Sequence, residues 1–288
     1  MSGRSSTRLR TLRWVIATLI LTVIISAWQN REPANLRVWF ADVGQGDGII
    51  IRTPSRETII IDGGVQQNFT REVDSHVPLT DRTIDLVVAT HADSDHITGL
   101  INLIDSGRVR SVLINRDATV TTQRYTSLWK AIERRNVQVI EAQAGQDFTY
   151  GDVHLRVLWP TPDGLVKATS TNDRSLVVRL TYGQEDLLFT GDAPDTVEKE
   201  LVASHTGLAS EVLKVGHHGS AKSTTPAFLK AVRPEIATIS VGARNTYGHP
   251  TKRVLNDLQR VGTKVYRTDE IGDVLIVCSI SACEQSEK

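Results

Sequence analysis

Residues 90–100 read THADSDHITGL, placing His91, Asp93, Asp95 and His96 within six positions, directly after the apolar run IDLVVA. Four strongly solvated groups at the mouth of a buried strand cost free energy unless a cation takes their lone pairs. In an extended stretch His91, Asp93 and Asp95 share one face. His96 joins them only through a turn, such as a loop in which Asp95 and His96 begin the following helix. The donors are nitrogen and oxygen without thiolate, a set that fits zinc, manganese or iron at an exposed catalytic site rather than a closed structural zinc site. An EF-hand is excluded, because the glycine and terminal glutamate of that loop are missing. The competing reading is a helix N-cap formed by Asp93 or Asp95, with both histidines merely exposed.

Three further motifs weigh against that competitor. The run DLLFTGD ends in Asp192, KVGHHGS in the pair His217 and His218, and NTYGHP in His249. Five of the chain's eight histidines therefore sit at the ends of strand-like runs. Strand ends at one edge of a sheet sandwich converge, and a pair of ions needs about seven or eight such donors. The chemistry of the combined set is hydrolysis at carbon or phosphorus. Asp95 or Asp192 would take a proton, and His218 or His249 would steady the developing oxyanion. Asp62 in IDGG reads as support for the turn under the site, and Asp47 in GQGDG as a hydrogen-bond partner of its own loop. Lys214 and Lys222 flank HHGS and either meet a phosphate or lie on a solvated face. His76, His154 and His205 fall outside every motif.

The elements that must position these groups are legible as alternating runs. LRVWFADV, GIIIRT and TIIIDGG read as strands separated by glycine and a PSRE turn, and IDLVVATH as a fully buried strand. ITGLINLIDSG and YTSLWKAIERRNV have helical spacing, and VHLRVLW, SLVVRLTYG and DLLFTGD are three further strands. APDTVEKELVAS, TPAFLKAV and TKRVLNDLQRVG read as helices between the strands EVLKVGHHGS, EIATISVG and VLIVCS. Strand parity in EVLKVGHHGS would put His217 and His218 on opposite faces, one for the metal and one to orient substrate or a ligand. Two packed sheets with helices outside accommodate this order, in one domain over residues 36–288.

The formal net charge of the 288 residues is zero, but residues 1–28 carry Arg4, Arg8, Arg10 and Arg13 and no acid. Without those four, 29 basic residues face 33 acidic ones, a poor match for tight sequence-independent nucleic-acid binding outside a local patch. A basic tail (1–13) precedes the apolar segment 14–28, which carries tryptophans at both ends, and a polar connector (29–35) follows. Ile25 stands where a cleavage site wants a small residue, so an uncleaved membrane anchor competes with a cleaved signal and a core helix. Arginines on the near side keep that end in the cytoplasm and place the rest outside it. The only cysteines, Cys278 and Cys283, would pair outside the cytosol only if a turn separates them; free thiols are the alternative.

The series FADVGQGDGIIIRTPSRETIIIDGG, THADSDHITGL, NDRSLVVRLTYGQEDLLFTGD, LKVGHHGS and SVGARNTYGHP resembles the metallo-β-lactamase superfamily. More closely, from about Leu36 to Val277, it resembles the hydrolase domain of ComEC-type competence proteins for DNA uptake. The resemblance implies an αββα four-layer sandwich with one or two divalent ions, zinc or manganese, at one edge. His91 and Asp93 would serve a first ion, Asp95 and His96 a second, and Asp192 would bridge, with His217 or His218 completing the set. Asp93 stands where the common pattern has histidine, a harder and more anionic donor that favours manganese. The histidine usual before the GD strand is missing, and STNDRS offers only Asn172 or Asp173 in its place.

Three functions follow: a membrane-anchored extracytoplasmic phosphodiesterase or nuclease acting on DNA, hydrolysis of a small envelope ester, phosphate or lactam, and metal or ligand binding without catalysis. The complete bridging set opposes the last. A basic groove of Lys214, Lys222, Arg244 and Lys252 beside the centre would favour DNA. ComEC-type proteins carry a polytopic channel and this chain offers one apolar segment, so a role in DNA uptake requires a separately encoded channel.

Overall fold

The computed structural model describes residues 13–22, 35–78, 81–204 and 207–286. Residues 13–22 form an exposed helix in which the Thr18 and Thr22 hydroxyls donate to carbonyls one turn back. The remainder of the basic tail, of the apolar segment and of the connector up to residue 34 lies outside the described residues, as does His205. Among the described residues, no helix is long and apolar enough to cross a membrane.

Asn35–Lys288 make one compact unit built on two sheets. The first orders Cys283–Ser286, Val274–Cys278, Leu36–Phe40, Ile49–Arg52, Thr58–Ile61, Leu86–Ala89, Ser111–Ile114 and Gln138–Glu141. The second orders Lys264–Arg267, Ile236–Ile239, Val212–Lys214, Glu185–Phe189, Val177–Tyr182, Val153–Trp159 and Asp147–Tyr150. Period-two alternation explains the layering. Leu36, Val38 and Phe40 meet Val178, Leu180 and Phe189 between the sheets, whereas Trp39, Ile50 and Ile60 turn outward. There they pack under Phe69–His76, Ser94–Asp105 and Gln123–Arg135. Leu188, Leu213 and Ile239 likewise turn from the second sheet to Asp195–Ala203, Pro226–Val232 and Lys252–Arg260. Both faces of each sheet are covered, so runs such as TIII and LVVA need no polar alternation. Each fully buried Ile or Leu contributes about 1.5–3 kcal/mol. The result is the αββα sandwich.

Topology places the chemistry. Thr58–Ile61, Leu86–Ala89, Ser111–Ile114 and Gln138–Glu141 run parallel, as do Glu185–Phe189, Val212–Lys214, Ile236–Ile239 and Lys264–Arg267. Loops leaving the C-terminal ends of parallel strands frame a crevice. Leu86–Ala89 leads to His91, Glu185–Phe189 to Asp192, and Val212–Lys214 to His217 and His218.

One expectation fails here. EVLKVGHHGS is not a strand throughout: pairing stops at Lys214, and Gly216–Gly219 form a tight turn with His217 (φ 49°) and His218 (φ 56°) in the left-handed region. Strand parity therefore does not govern the two histidines. Left-handed backbone on two non-glycine residues is costly, and the cost is tolerated because the turn aims both rings at one site.

The cysteine question is resolved by a hairpin. Val274–Cys278 and Cys283–Ser286 pair antiparallel with Cys278 opposite Cys283, and the two are disulfide-bonded. Replacing both by serine is expected to lower unfolding stability by about 2 kcal/mol, since the loop closed is short. Denaturant unfolding of the two proteins without reductant measures it, and identical midpoints would show that the cross-link does not form.

Candidate metal centre

His91 follows its strand directly, and Asp93 precedes the first turn of the helix Ser94–Asp105, which carries Asp95 and His96. A glycine sets how closely the next loop approaches. A Cβ on Gly46 (φ +119°) would lie 1.9 Å from the carbonyl oxygen of Asp95, so only glycine lets the GQGDG loop press Asp47 against this helix.

Asp192 is the hub. Its Oδ1 lies 3.4 Å from His96 Nε2, and its Oδ2 lies 3.5 Å from His218 Nε2, 3.7 Å from His217 Nε2 and 4.0 Å from His91 Nε2. Asp95 Oδ2 closes one side at 3.5 Å from His218 Nε2 and 4.0 Å from His96 Nε2. Asp95, His96, Asp192 and His218 thus form one compact set of nitrogen and oxygen donors. His91 and Asp93 adjoin this set on its more open side, with Asp93 Oδ2 3.6 Å from His91 Nε2 and the His91 ring 4.1 Å from that of His96.

Whether a cation fits can be read from the hydrogen bonds. The buried atoms His91 Nε2, His96 Nε2, His218 Nε2 and Asp192 Oδ1 have no hydrogen-bond partner. Four orphaned donor atoms facing one another are costly in a protein interior, and a divalent cation satisfies all of them. The opposite ring nitrogens are fixed. His96 Nδ1 donates to Asp62 at 2.8 Å and His218 Nδ1 to the Ser240 carbonyl at 2.9 Å. Thr90 Oγ1 donates to Asp62 at 2.6 Å, and His91 Nδ1 donates to Thr90 Oγ1 at 3.0 Å. A single buried carboxylate, Asp62, therefore orients two of the three rings, directly and through Thr90.

The electrostatics agree. Burial would push the His96 imidazole down, but Asp192 and Asp62 lift it well above its ordinary range. Burial opposes and Asp192, Asp47 and Asp95 likewise raise His218. Against burial, His218 and His96 hold Asp192 well below the usual carboxylate range, and His218 and His96 depress Asp95. Protons and a cation thus compete for the same Nε2 positions. Burial lowers His217 and His249.

The pair in HHGS divides. His218 enters the compact set, while His217 reaches the open side, with Asn172 Nδ2 3.5 Å from its Nδ1. Asp173 is engaged elsewhere, accepting from Thr169 and Ser170. His249 sits at the rim, its ring 5.7 Å from that of His217 and its backbone held by Asn245.

Two sequence readings need correction. Asp47 does not use its carboxylate on its own loop: it is buried, ion-paired with Lys214 and 3.5 Å from His218 Nδ1. Lys214 is neither solvated nor available to a phosphate. Its ammonium is fully buried and donates to the Gly191 carbonyl at 3.0 Å as well as to Asp47. The basic groove therefore loses Lys214, leaving Lys222, Arg244 and Lys252 exposed. Asp62 does support the site, though as a ligand-orienting group rather than only a turn residue.

The profile of the metallo-beta-lactamase superfamily matches residues 41–243. The chain is 29% identical to ComE operon protein 3 of Bacillus subtilis (strain 168), covering 94% of this chain and 36% of that protein. It is 32% identical to Competence protein ComA of Neisseria gonorrhoeae, covering 89% of this chain and 34% of that protein. The chain thus spans about a third of the length of these relatives. Among solved structures, the metallo-beta-lactamase fold protein YhfI from Bacillus subtilis superposes with a TM-score of 0.56 at 12% identity, covering 85% of this chain and 100% of that one.

Proposed function

The chain belongs to the metallo-beta-lactamase superfamily, and from that premise we propose that it is a metal-dependent phosphodiesterase acting on nucleic acid. The observation that carries the metal dependence is the convergence of His91 Nε2, His96 Nε2, His218 Nε2 and Asp192 Oδ1, all buried and orphaned. Asp95, His96, Asp192 and His218 would hold one ion. His91, Asp93, His217 and Asp192 would hold a second, for which the two carboxylates favour manganese over zinc. Ions so held supply Lewis acidity toward a phosphoryl oxygen and the attacking water. The chain's own residues do the rest. Asp62 and Ser240 keep Nε2 of His96 and His218 turned inward, and Asp95, about a third exposed, is placed to accept a proton from the nucleophile. His218 is buried with Nδ1 on the Ser240 carbonyl and Nε2 turned to the ions, so His249 at the rim remains to hydrogen-bond the leaving oxygen.

The resemblance to competence proteins supports nucleic acid as substrate. The arginine-flanked apolar segment 14–28 supports a single-pass anchor with residues 36–288 outside the cytoplasm, and the disulfide suits that compartment. In DNA uptake the hydrolase would work beside a separate channel protein. The test is hydrolysis by the full chain loaded with manganese or zinc, on bis(p-nitrophenyl) phosphate and labelled single-stranded DNA. Turnover of both, lost on chelation, is expected; metal uptake with cleavage of neither would overturn the reading.

A further inference from the structure

We propose that the strand being cut lies in a cleft running from Asp93 and Asp95 to the N-terminus of the helix Gln123–Arg135, and that this cleft grips phosphates rather than bases. The inference rests on the phosphodiesterase reading and adds where the polymer lies and which groups hold it. The cleft encloses about 610 Å³. One wall is the ligand loop, Asp93 to Asp95; the other is the loop 119–122 with Arg124. It ends on the metal centre, because Asp93 Oδ2 on its wall faces the orphaned Nε2 of fully buried His91 at 3.6 Å.

The far wall is built to stay in place. Buried Asp117 accepts from Thr119 N at 2.9 Å and from Thr119 Oγ1 at 2.6 Å, and pairs with Arg174 Nε at 3.0 Å. Asp117 N donates to Tyr125 Oη at 2.8 Å. Thr122 caps the helix by accepting from Tyr125 N, which leaves its own proton as a donor. Arg124 lies in the first turn, where no acid accompanies it. A cation there opposes the helix dipole, an unfavourable placement on its own and a favourable one when an anion sits between them.

Two features identify the occupant as a chain of phosphates. No aromatic ring lines this first cleft, so bases find no stacking surface there; its acids, Asp93 and Asp95, lie on the metal side, and the hydroxyls, Arg124 and helix N–H groups of the far wall suit phosphate oxygens. A neighbouring surface offers the polymer a further hold. A second cleft of about 400 Å³ adjoins it at Val120 and is lined by the cations Arg116 and Lys130, the acids Asp117 and Glu133, and the rings of Tyr125 and Trp129. The Arg116 guanidinium lies 4.6 Å above the Trp129 ring. A compact ester needs no such extension; a polymer does, and its cleavage here would be insensitive to sequence.

The test is steady-state cleavage of a short fluorescent oligothymidylate by the metal-loaded full chain, across a range of salt. Arg124→Glu is expected to raise KM about tenfold with kcat within about twofold, and to flatten the salt dependence by about one phosphate contact. Arg124→Lys should restore most of the loss. Glutamate in a first helical turn favours the helix, so a raised KM does not report unfolding. An unchanged KM in Arg124→Glu would overturn the cleft while leaving the phosphodiesterase standing. Turnover of bis(p-nitrophenyl) phosphate with neither binding nor cleavage of the oligothymidylate would do the same. Cleavage of neither substrate would remove both.

Discussion

Asp192→Asn is expected to abolish hydrolysis, by about a thousandfold or more, and to weaken metal binding at least about a hundredfold. The substitution is nearly isosteric, so the sandwich should fold. It removes the one carboxylate that faces all four imidazoles of the centre, between 3.4 and 4.0 Å away. It also removes the group that lifts both His96 and His218 above their ordinary range, so neither ring retains its strongest neighbour. Metal content by elemental analysis and rate on a phosphodiester should fall together, with far-ultraviolet circular dichroism unchanged. A variant that retains both ions and its rate would refute the hub role of Asp192.

Lys214→Met is expected to be the most destabilising single change outside the hydrophobic core. The ammonium has no exposed surface, and its partner Asp47 is equally buried. Removing one member of a buried pair leaves an uncompensated charge and costs about 3–5 kcal/mol. In a unit of this size that lowers the melting temperature by roughly 10 °C. The double variant Asp47→Asn, Lys214→Met should recover most of the loss, because no charge is then stranded. Thermal unfolding of the three proteins decides the matter, and equal melting temperatures would show that the pair is not buried in solution.

How far the sequence could be read follows from what leaves a pattern. Fully buried strands such as Leu86–Ala89 declare themselves as apolar runs, and the ligands that terminate them stand out because a carboxylate or imidazole there needs a reason. Edge strands are different. Gln138–Glu141 is largely exposed, and Asp147–Tyr150 alternates over only four residues, too few to mark a strand. The HHGS turn leaves no trace because VLKVG continues smoothly into it, and left-handed backbone at two histidines has no sequence signature. Lys214 shows the same limit: lysine is ordinarily solvated, and its partner lies far away in the chain, in GQGDG. Long-range pairing, unlike periodicity, is not written locally.

The centre straddles the seam of the sandwich. His91, Asp93, Asp95 and His96 hang from the eight-stranded sheet, whereas Asp192, His217 and His218 hang from the seven-stranded one. Each sheet carries part of the donor set, and an ion held by both would draw on the two halves together. A cation shared between them is a reversible cross-link closing a loop of nearly a hundred residues, from His96 to Asp192, and so works against the unfolded chain as well as for the reaction. Resistance to heat and to proteases would thereby be tied to the metal supply of the compartment, and a chelator would act on this protein as a mild denaturant.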